Sequence, residues 1–394
     1  MTTGGNTLVM QSGGSTAVLN RSLEGVVLEA NRSEGLGVVY GAVHGLDGLL
    51  SGQLIDLSKQ TKAQWSRIAR TPGAALGSSR RKLTAEDVPM TLDAISKHDI
   101  RFWFTIGGND SAETGRRISV EARDAGKPLT VINVPKTIDT DLVLTDHSPG
   151  YGSAARFVAL ATMGAGRDAE AMGKASPITI LEVMGRDAGW LAAAAALGRR
   201  SERDAPHLIC VPEAPVDERL FLDGIEDAYR RFGFAVAVVA ENARGLDGIL
   251  GGQQEPWYVD DFGHPYFEGA GRFLATLIGR RLGTRVRYEK PGTIQRSMAA
   301  GVSGTDAREA EMVGRAAVRY ALQGISSQMV TLVREEGRGY ACSTGLAPLE
   351  EVAGKVQRLP GHYFDPAGQM ATRAFLDYAR PLIGAPLPQF GRIR

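Results

Sequence analysis

The sequence predicts a doubly wound α/β protein, and three observations carry that reading. Apolar, β-rich runs alternate with amphipathic helical patterns along nearly the whole chain. The runs are almost continuously apolar, as in parallel strands covered on both faces. Glycine-rich and polar clusters come directly after several of them, where such a fold collects its ligands. In order, residues 6–10 and 36–40 read as strands flanking a helical stretch over about 17–34. Residues 85–98 have helical spacing, 102–106 form a buried strand stopped by Gly107-Gly108, and 112–125 are again helical. A strand over 129–134 ends at Pro135. Next come helix over 152–172, strand over 178–183, helix over 188–197 and strand over 208–211. Helix over 217–232, strand over 234–240 and helix over 269–282 complete the pattern. Residues 245–271, rich in glycine and aromatics, read as a long loop or insertion.

The 394 residues suffice for two to three domains and a large core without disulfides. A formal charge of +1 gives no global field toward nucleic acid or anionic lipid. The 49 glycines fall in short clusters between apolar runs, which points to tight loops at strand ends. Cys210 and Cys342 have no metal-ligand spacing and read as small buried hydrophobes. Residues 1–11 lack a secretory pattern and no apolar run could span a bilayer, so the expectation is a soluble, cytoplasmic protein without membrane or nucleic-acid partners.

Five polar clusters succeed the expected strands. In Gln11-Ser12-Gly13-Gly14-Ser15-Thr16, glycines before a helix let backbone N–H groups approach a phosphate, although such turns also occur for geometry alone. Neither a dinucleotide nor a Walker glycine pattern is completed. In Gly107-Gly108-Asn109-Asp110-Ser111, Asp110 is either a ligand-facing carboxylate or a helix N-cap. Lys136-Thr137-Ile138-Asp139-Thr140-Asp141 suits a metal-phosphate site with a base, or equally a solvated turn. In Met184-Gly185-Arg186-Asp187, the arginine can clamp a phosphate while Asp187 could cap the next helix. Glu241 ends an otherwise apolar strand, which favours a ligand role. The six histidines show no metal spacing; His147 reads as a loop-ordering hydrogen bonder, and Trp103 and Trp190 as core aromatics. The pairs Arg80-Arg81 and Arg199-Arg200 read as solvated faces.

Taken together, GGSTAVLN, GGNDS, PKTIDTD, TDHSPGYGSAARF, EVMGRDAGW and PGTIQR resemble the phosphofructokinase family over about residues 8–304. The resemblance implies two doubly wound, Rossmann-like α/β domains with the active site in the cleft between them. It implies phosphoryl transfer to the 1-hydroxyl of fructose 6-phosphate with Mg²⁺. Within the family, Asp110 and Lys136 stand where ATP-using members tend to carry glycine, so the chain resembles the pyrophosphate-using branch. Asp110 would exclude an α-phosphate and Lys136 would hold the second phosphate of pyrophosphate.

Carried over residue by residue, the resemblance implies that Gly13, Gly14, Arg80 and Lys136 meet the donor phosphates. Asp139 is the implied base, flanked by Thr137, with Asn109, Asp110 and Asp141 on the metal side. Met184, Gly185, Arg186, Glu241, Arg287, Thr293 and Arg296 would bind the sugar phosphate, Arg296 at its 6-phosphate. In many members the residue equivalent to Arg287 reaches in from a neighbouring subunit, so a homodimer or homotetramer is expected. Asn109 replaces a usual metal-associated Asp, Thr293 a usual His, and Pro177 an arginine that crosses the subunit boundary in ATP-using tetramers. The implied organisation is a donor and Mg²⁺ domain over 1–150, a sugar-phosphate domain over 151–330, and a segment over 331–394 packing back on them. The expected activity is reversible phosphorylation of fructose 6-phosphate by pyrophosphate. An ATP-dependent kinase and a non-catalytic sugar-phosphate-binding subunit are the alternatives.

Overall fold

A computed structural model of the chain describes residues 4–250, 255–256, 258–259, 265–266, 269–337 and 339–393. The apolar runs pair as the sequence predicts, in two sheets belonging to two units. One unit comprises residues 1–150, 296–302 and 306–357, the other 151–295, 303–305 and 358–394.

The first unit is built on a seven-stranded sheet. Its central strand is Ile100–Gly107, and Asn6–Gln11 lies parallel between it and Val39–Ala42. Thr130–Pro135 extends the parallel run. Side chains alternate across the pleat. Val9, Phe104 and Ile132 face one apolar cluster, and Leu8, Met10, Trp103 and Val131 face the other. Both faces are therefore covered, as a doubly wound sheet requires. Trp103 is buried as expected, its indole N–H donating to Thr105 Oγ1 at 2.8 Å.

Gln328–Arg334 continues this sheet in parallel beyond Thr130–Pro135, and Cys342–Pro348 returns antiparallel to it. A linear division of the chain at residue 330 therefore does not describe the structure. Strand pairing draws 328–348 back to the first unit, while 358–394 pack on the second. Sequence patterning passed over these two strands, the short Leu54–Asp56 edge strand, and the helix Gly304–Leu322. The helix was legible: Ala310, Val313, Ala317 and Ala321 lie buried at helical spacing.

The second unit holds a four-stranded, all-parallel sheet. Ile178–Val183 lies between Val286–Glu289 and Ala235–Ala240, with Leu208–Cys210 beyond. Tyr151–Met172, Glu218–Phe232 and Ala270–Leu282 supply the helices. Asp217 caps the second of these by accepting from the Arg219 and Leu220 amides. The C-terminal segment packs on this unit through aromatic contacts. Trp190 meets Tyr363 and Tyr378 with ring centroids 5.8 and 5.6 Å apart. Cys210 is buried and its thiol is pushed up to about 12 by loss of hydration, in keeping with an inert core position. Of the stretch 245–271, the described residues include the short antiparallel pair Tyr258–Val259 with Pro265–Tyr266; His264 lies outside them. Among the described residues, no helix is long and apolar enough to cross a membrane.

Close packing in the first unit depends on two reciprocal glycines. A methyl group on Gly25, in helix Leu19–Ala30, would strike the backbone at Glu311, and one on Gly314 would strike the backbone at Ser22. Neither contact can yield by rotating a side chain. Gly314→Ala should destabilise the protein by about 1–3 kcal/mol. Gly164→Ala, exposed in helix Tyr151–Met172 with nothing within 4 Å of the added carbon, should be neutral or stabilising. Urea midpoints for the two variants check the contrast.

Candidate active site

The Asn6–Gln11 strand ends on a buried glutamine that anchors the adjoining turn. Gln11 Nε2 donates to Asn20 Oδ1 at 3.0 Å, and its Oε1 accepts from the Leu76 amide at 3.0 Å. The chain then turns through Ser12-Gly13-Gly14. The Ser12 amide donates to Ile106 O at 3.0 Å and the Gly13 amide to Ser79 O at 2.9 Å. Gly13 has φ +77°, a left-handed conformation that favours glycine. A Cβ on Gly13 would lie 3.2 Å from Lys136 Nζ, and one on Gly14 would lie 2.5 Å from Arg296 Nη1. Two cations thus approach consecutive glycines of one turn. Arg80 comes next to Ser79, which bridges to Ser12. Arg81 is not simply solvated: its guanidinium pairs with Asp47 at 3.1 Å and Asp87 at 2.6 Å. Those ion pairs leave Arg80 as the arginine flanking the turn.

Thr130–Pro135 delivers Lys136, which is buried, with its amide donating to Gly107 O at 3.2 Å. The loop beyond is held by its own polar groups. The Asp139 amide donates to Thr137 Oγ1 at 3.1 Å, and the Ser148 amide to Thr140 Oγ1 at 2.9 Å. Asp139 is half-buried. Asn109 opens the helix Asn109–Asp124, whose N-cap is Gly108, so Asp110 is not the cap; it sits exposed in the first turn. Asn109 Nδ2 donates to Asp141 Oδ2 at 3.3 Å, while Asn109 Oδ1 is buried and has no hydrogen-bond partner among the described residues. Among the described residues, no three His, Cys, Asp or Glu side chains cluster as a metal cage. The pairing of one carboxylate with an unsatisfied amide oxygen nevertheless fits Mg²⁺, which is commonly held by one or two carboxylates together with substrate phosphates and water.

Behind this loop lies a buried ionic cluster. His147 Nδ1 and Nε2 sit 2.7 Å from Asp146 Oδ2 and Glu309 Oε2, so both ring nitrogens donate when the ring is charged. Asp146 also accepts from Arg334 Nε at 3.1 Å and Nη2 at 3.0 Å, and the Tyr340 hydroxyl donates to Glu309. The expected loop-ordering role of His147 acquires definite partners: it ties the end of the 136–148 loop to the helix and strand behind it. Burial alone would push the imidazole down, but the two carboxylates outweigh it and raise His147 to about 9.

In the second unit, Ile178–Val183 leads into a tight turn with Gly185 at φ +144° and Arg186 at φ +48°. The Arg186 amide donates to Glu241 Oε1 at 3.2 Å, and the Met184 amide to Gln295 Oε1 at 3.2 Å. Loss of hydration, together with nearby Glu182, holds the Glu241 carboxyl above its usual range; the Arg186 amide and Lys290 offset only part of this. Glu182 is fully buried, its Oε1 ion-paired with Lys290 Nζ at 2.7 Å and its Oε2 accepting from Tyr288 Oη at 3.1 Å and the Gly271 amide at 2.9 Å. Gln295 and Glu182 make contacts beside this turn that sequence reasoning missed. The signal for Glu182 was an acid inside an apolar strand. Asp187 does not cap the next helix, whose Gly189 amide is taken by Glu213. Thr293 is exposed, Pro177 is buried at the start of its strand, and Arg287 pairs with Asp168 of the same chain.

A glycine turn approached by a buried lysine and an arginine, near a carboxylate–amide pair, is the cluster of polar groups at the strand ends of the first unit. The Phosphofructokinase family profile matches residues 6–321. Pyrophosphate–fructose 6-phosphate 1-phosphotransferase of Rhodospirillum rubrum is 39% identical over 396 residues, covering 99% of this chain and 97% of that one. The protein of the same name from Xanthomonas campestris is 38% identical over 98% of this chain and 93% of its own. The crystal structure of pyrophosphate-dependent phosphofructokinase from Nitrosospira multiformis aligns with a TM-score of 0.88 at 34% identity, covering 98% of this chain and 94% of that one. The chain belongs to the phosphofructokinase family.

The ionic cluster makes stability pH-dependent. Because His147 rises from 6.5 to about 9, its contribution is complete below about pH 6.5 and disappears as pH climbs through about 9. The shift corresponds to about 3 kcal/mol. The urea midpoint should therefore fall between pH 7 and 10. In His147→Gln the midpoint should be lower at pH 7 and much flatter over that interval. Equal slopes in the two proteins would assign the effect to other groups.

Proposed function

We infer that the chain reversibly transfers a phosphoryl group from pyrophosphate to the 1-hydroxyl of fructose 6-phosphate, giving fructose 1,6-bisphosphate and phosphate. The observation that carries this reading is the buried Lys136 ammonium facing Gly13 in the glycine turn. Pyrophosphate has no nucleoside to grip, so its charge must be met by groups close to the phosphates. Lys136 provides a compact cation there, preorganised by burial. Asp110, exposed in the first turn of its helix, contributes by placing negative charge where a longer donor would continue.

In this reading Asp139 accepts the proton of the 1-hydroxyl as its oxygen attacks phosphorus, and the bond to the departing phosphate breaks. Thr137 orders that aspartate through its amide. Gly13, Gly14 and Arg80 meet the donor. Met184, Gly185, Arg186 and Glu241 meet the sugar phosphate, with Arg287, Thr293 and Arg296. Asn109, Asp110 and Asp141 would hold Mg²⁺, and the chemistry such an ion supplies is neutralisation of charge on the diphosphate oxygens. The reading includes a cytoplasmic homodimer or homotetramer, in which Arg287 would exchange Asp168 for a neighbouring copy's substrate.

Purified protein with fructose 6-phosphate and either pyrophosphate or ATP, at varied Mg²⁺, tests the reaction directly. Turnover with pyrophosphate and not ATP is expected; the reverse result would move the chain to the ATP-using branch. Asp139→Asn keeps shape but cannot take the proton, and should lower kcat about 10²- to 10⁴-fold. Full turnover in that variant would remove Asp139 as the base.

The donor residues should fail in different ways. Lys136→Ala should collapse kcat with pyrophosphate while leaving fructose 6-phosphate binding nearly intact. Asp110→Gly should let ATP bind detectably. Unchanged exclusion of ATP by Asp110→Gly would show that this carboxylate does not select the donor.

A further inference from the structure

Residues 78–79 hold Gly13 by both of its backbone polar groups. The Gly13 amide donates to Ser79 O at 2.9 Å, and Gly13 O accepts from Ser78 Oγ at 2.6 Å. Ser12 Oγ also donates to Ser79 O, at 3.3 Å. The shape of the glycine turn therefore follows the direction of the Ser79 carbonyl. Ser79 is anchored in turn through its side chain. Its hydroxyl donates to Asp47 Oδ2 at 2.5 Å and accepts from the Arg81 amide at 3.0 Å. Asp47 Oδ1 accepts from Arg81 Nη1 at 3.1 Å, and Arg81 Nη2 donates to Asp87 Oδ1 at 2.6 Å. Asp87 is buried at the start of the helix Asp87–Lys97, where its Oδ2 also accepts from the Thr84 amide and hydroxyl. The Arg81 guanidinium holds the Asp87 carboxyl below its usual range, so this pair stays charged at neutral pH.

The segment that carries Asp47 is packed against the base of the turn. A Cβ on Gly45 would lie 3.1 Å from Gln11 O and 3.5 Å from Ser79 Cβ. Asp47 follows two residues later, in the short helix Leu46–Leu50. The Arg81 and Asp47 side chains are 42% and 44% exposed, and ion pairs so placed add little to global stability. What they supply is orientation, because a planar fork held between two carboxylates is restricted to few geometries. We propose that Asp47 and Arg81 are positioning residues for the donor: they orient Ser79, and Ser79 fixes the glycine turn, without either charged group touching the donor. This rests on the reading above in which the glycine turn meets pyrophosphate.

Hydrogen exchange over residues 11–18, and calorimetric binding of imidodiphosphate with Mg²⁺, test the two links separately. Asp47→Ala should speed exchange at the turn, where the Gly13 amide loses its fixed acceptor. It should also weaken imidodiphosphate about tenfold, within the range that small displacements at a site produce. Fructose 6-phosphate binding and the urea midpoint should change little. Arg81→Ala should behave in the same way. Arg81→Lys, which can pair with one carboxylate but not fork between two, should recover part of the loss. Combined, Asp47→Ala and Arg81→Ala should be far from additive, because both act through Ser79. The proposal is overturned if imidodiphosphate affinity is unchanged in both single variants, or if it falls only in step with the urea midpoint and fructose 6-phosphate binding. If the wild-type protein neither binds imidodiphosphate nor turns over pyrophosphate, the donor reading fails instead. Exchange at the turn then still decides whether Asp47 and Arg81 hold it, and unchanged exchange removes them as positioning residues.

Discussion

Parallel register among three strands is the constraint on which the loop cluster of the first unit depends. Gln11 stands opposite Ile106, and Gly107 opposite Pro135. Strands Asn6–Gln11, Ile100–Gly107 and Thr130–Pro135 therefore end together, and the loops leaving them emerge side by side. The glycine turn, the Asn109 helix and Lys136 meet because hydrogen-bonded strands cannot slip by one residue without turning every buried side chain to the wrong face. Trp103, Phe104, Val9 and Met10 make such a slip costly.

Having fixed where the loops begin, the fold fixes their shape with buried polar groups. Gln11 and Asn20 bond each other and then reach separate carbonyl and amide groups in residues 71–76. His147 joins Asp146 and Glu309, with Arg334 completing the charge balance. Burying such groups is unfavourable unless every partner is present. A satisfied network consequently holds one loop geometry and penalises others.

Glycine serves three separate physical ends in the first unit. At Gly13 it permits a left-handed backbone. At Gly25 and Gly314 it permits two helices to approach backbone to backbone. At Gly14 it leaves room for a side chain from a distant segment. Composition reveals that glycine is abundant but cannot distinguish these uses, because each is defined by what stands opposite.

The α/β class, the main strands and helices of residues 6–40 and 85–282, and the clusters after Gln11, Gly107, Pro135, Val183 and Ala240 were legible in the sequence, since hydrophobic period and turn chemistry are local properties. So was His147 as a residue ordering its loop, although not its partners. The return of 328–348 to the first sheet was not legible. Strand pairing is set by contacts hundreds of residues apart, which no local pattern records. The contacts of Gln295 and Glu182 escaped for the same reason, since each is defined by the amide or ammonium it meets. Tertiary structure alone decided that Arg81 is spent on Asp47 and Asp87, and that Arg296 lies against Gly14. Sequence determines which charges a chain carries and which strands they succeed; folding decides which groups those charges meet, because electrostatic interactions are set by distance in space.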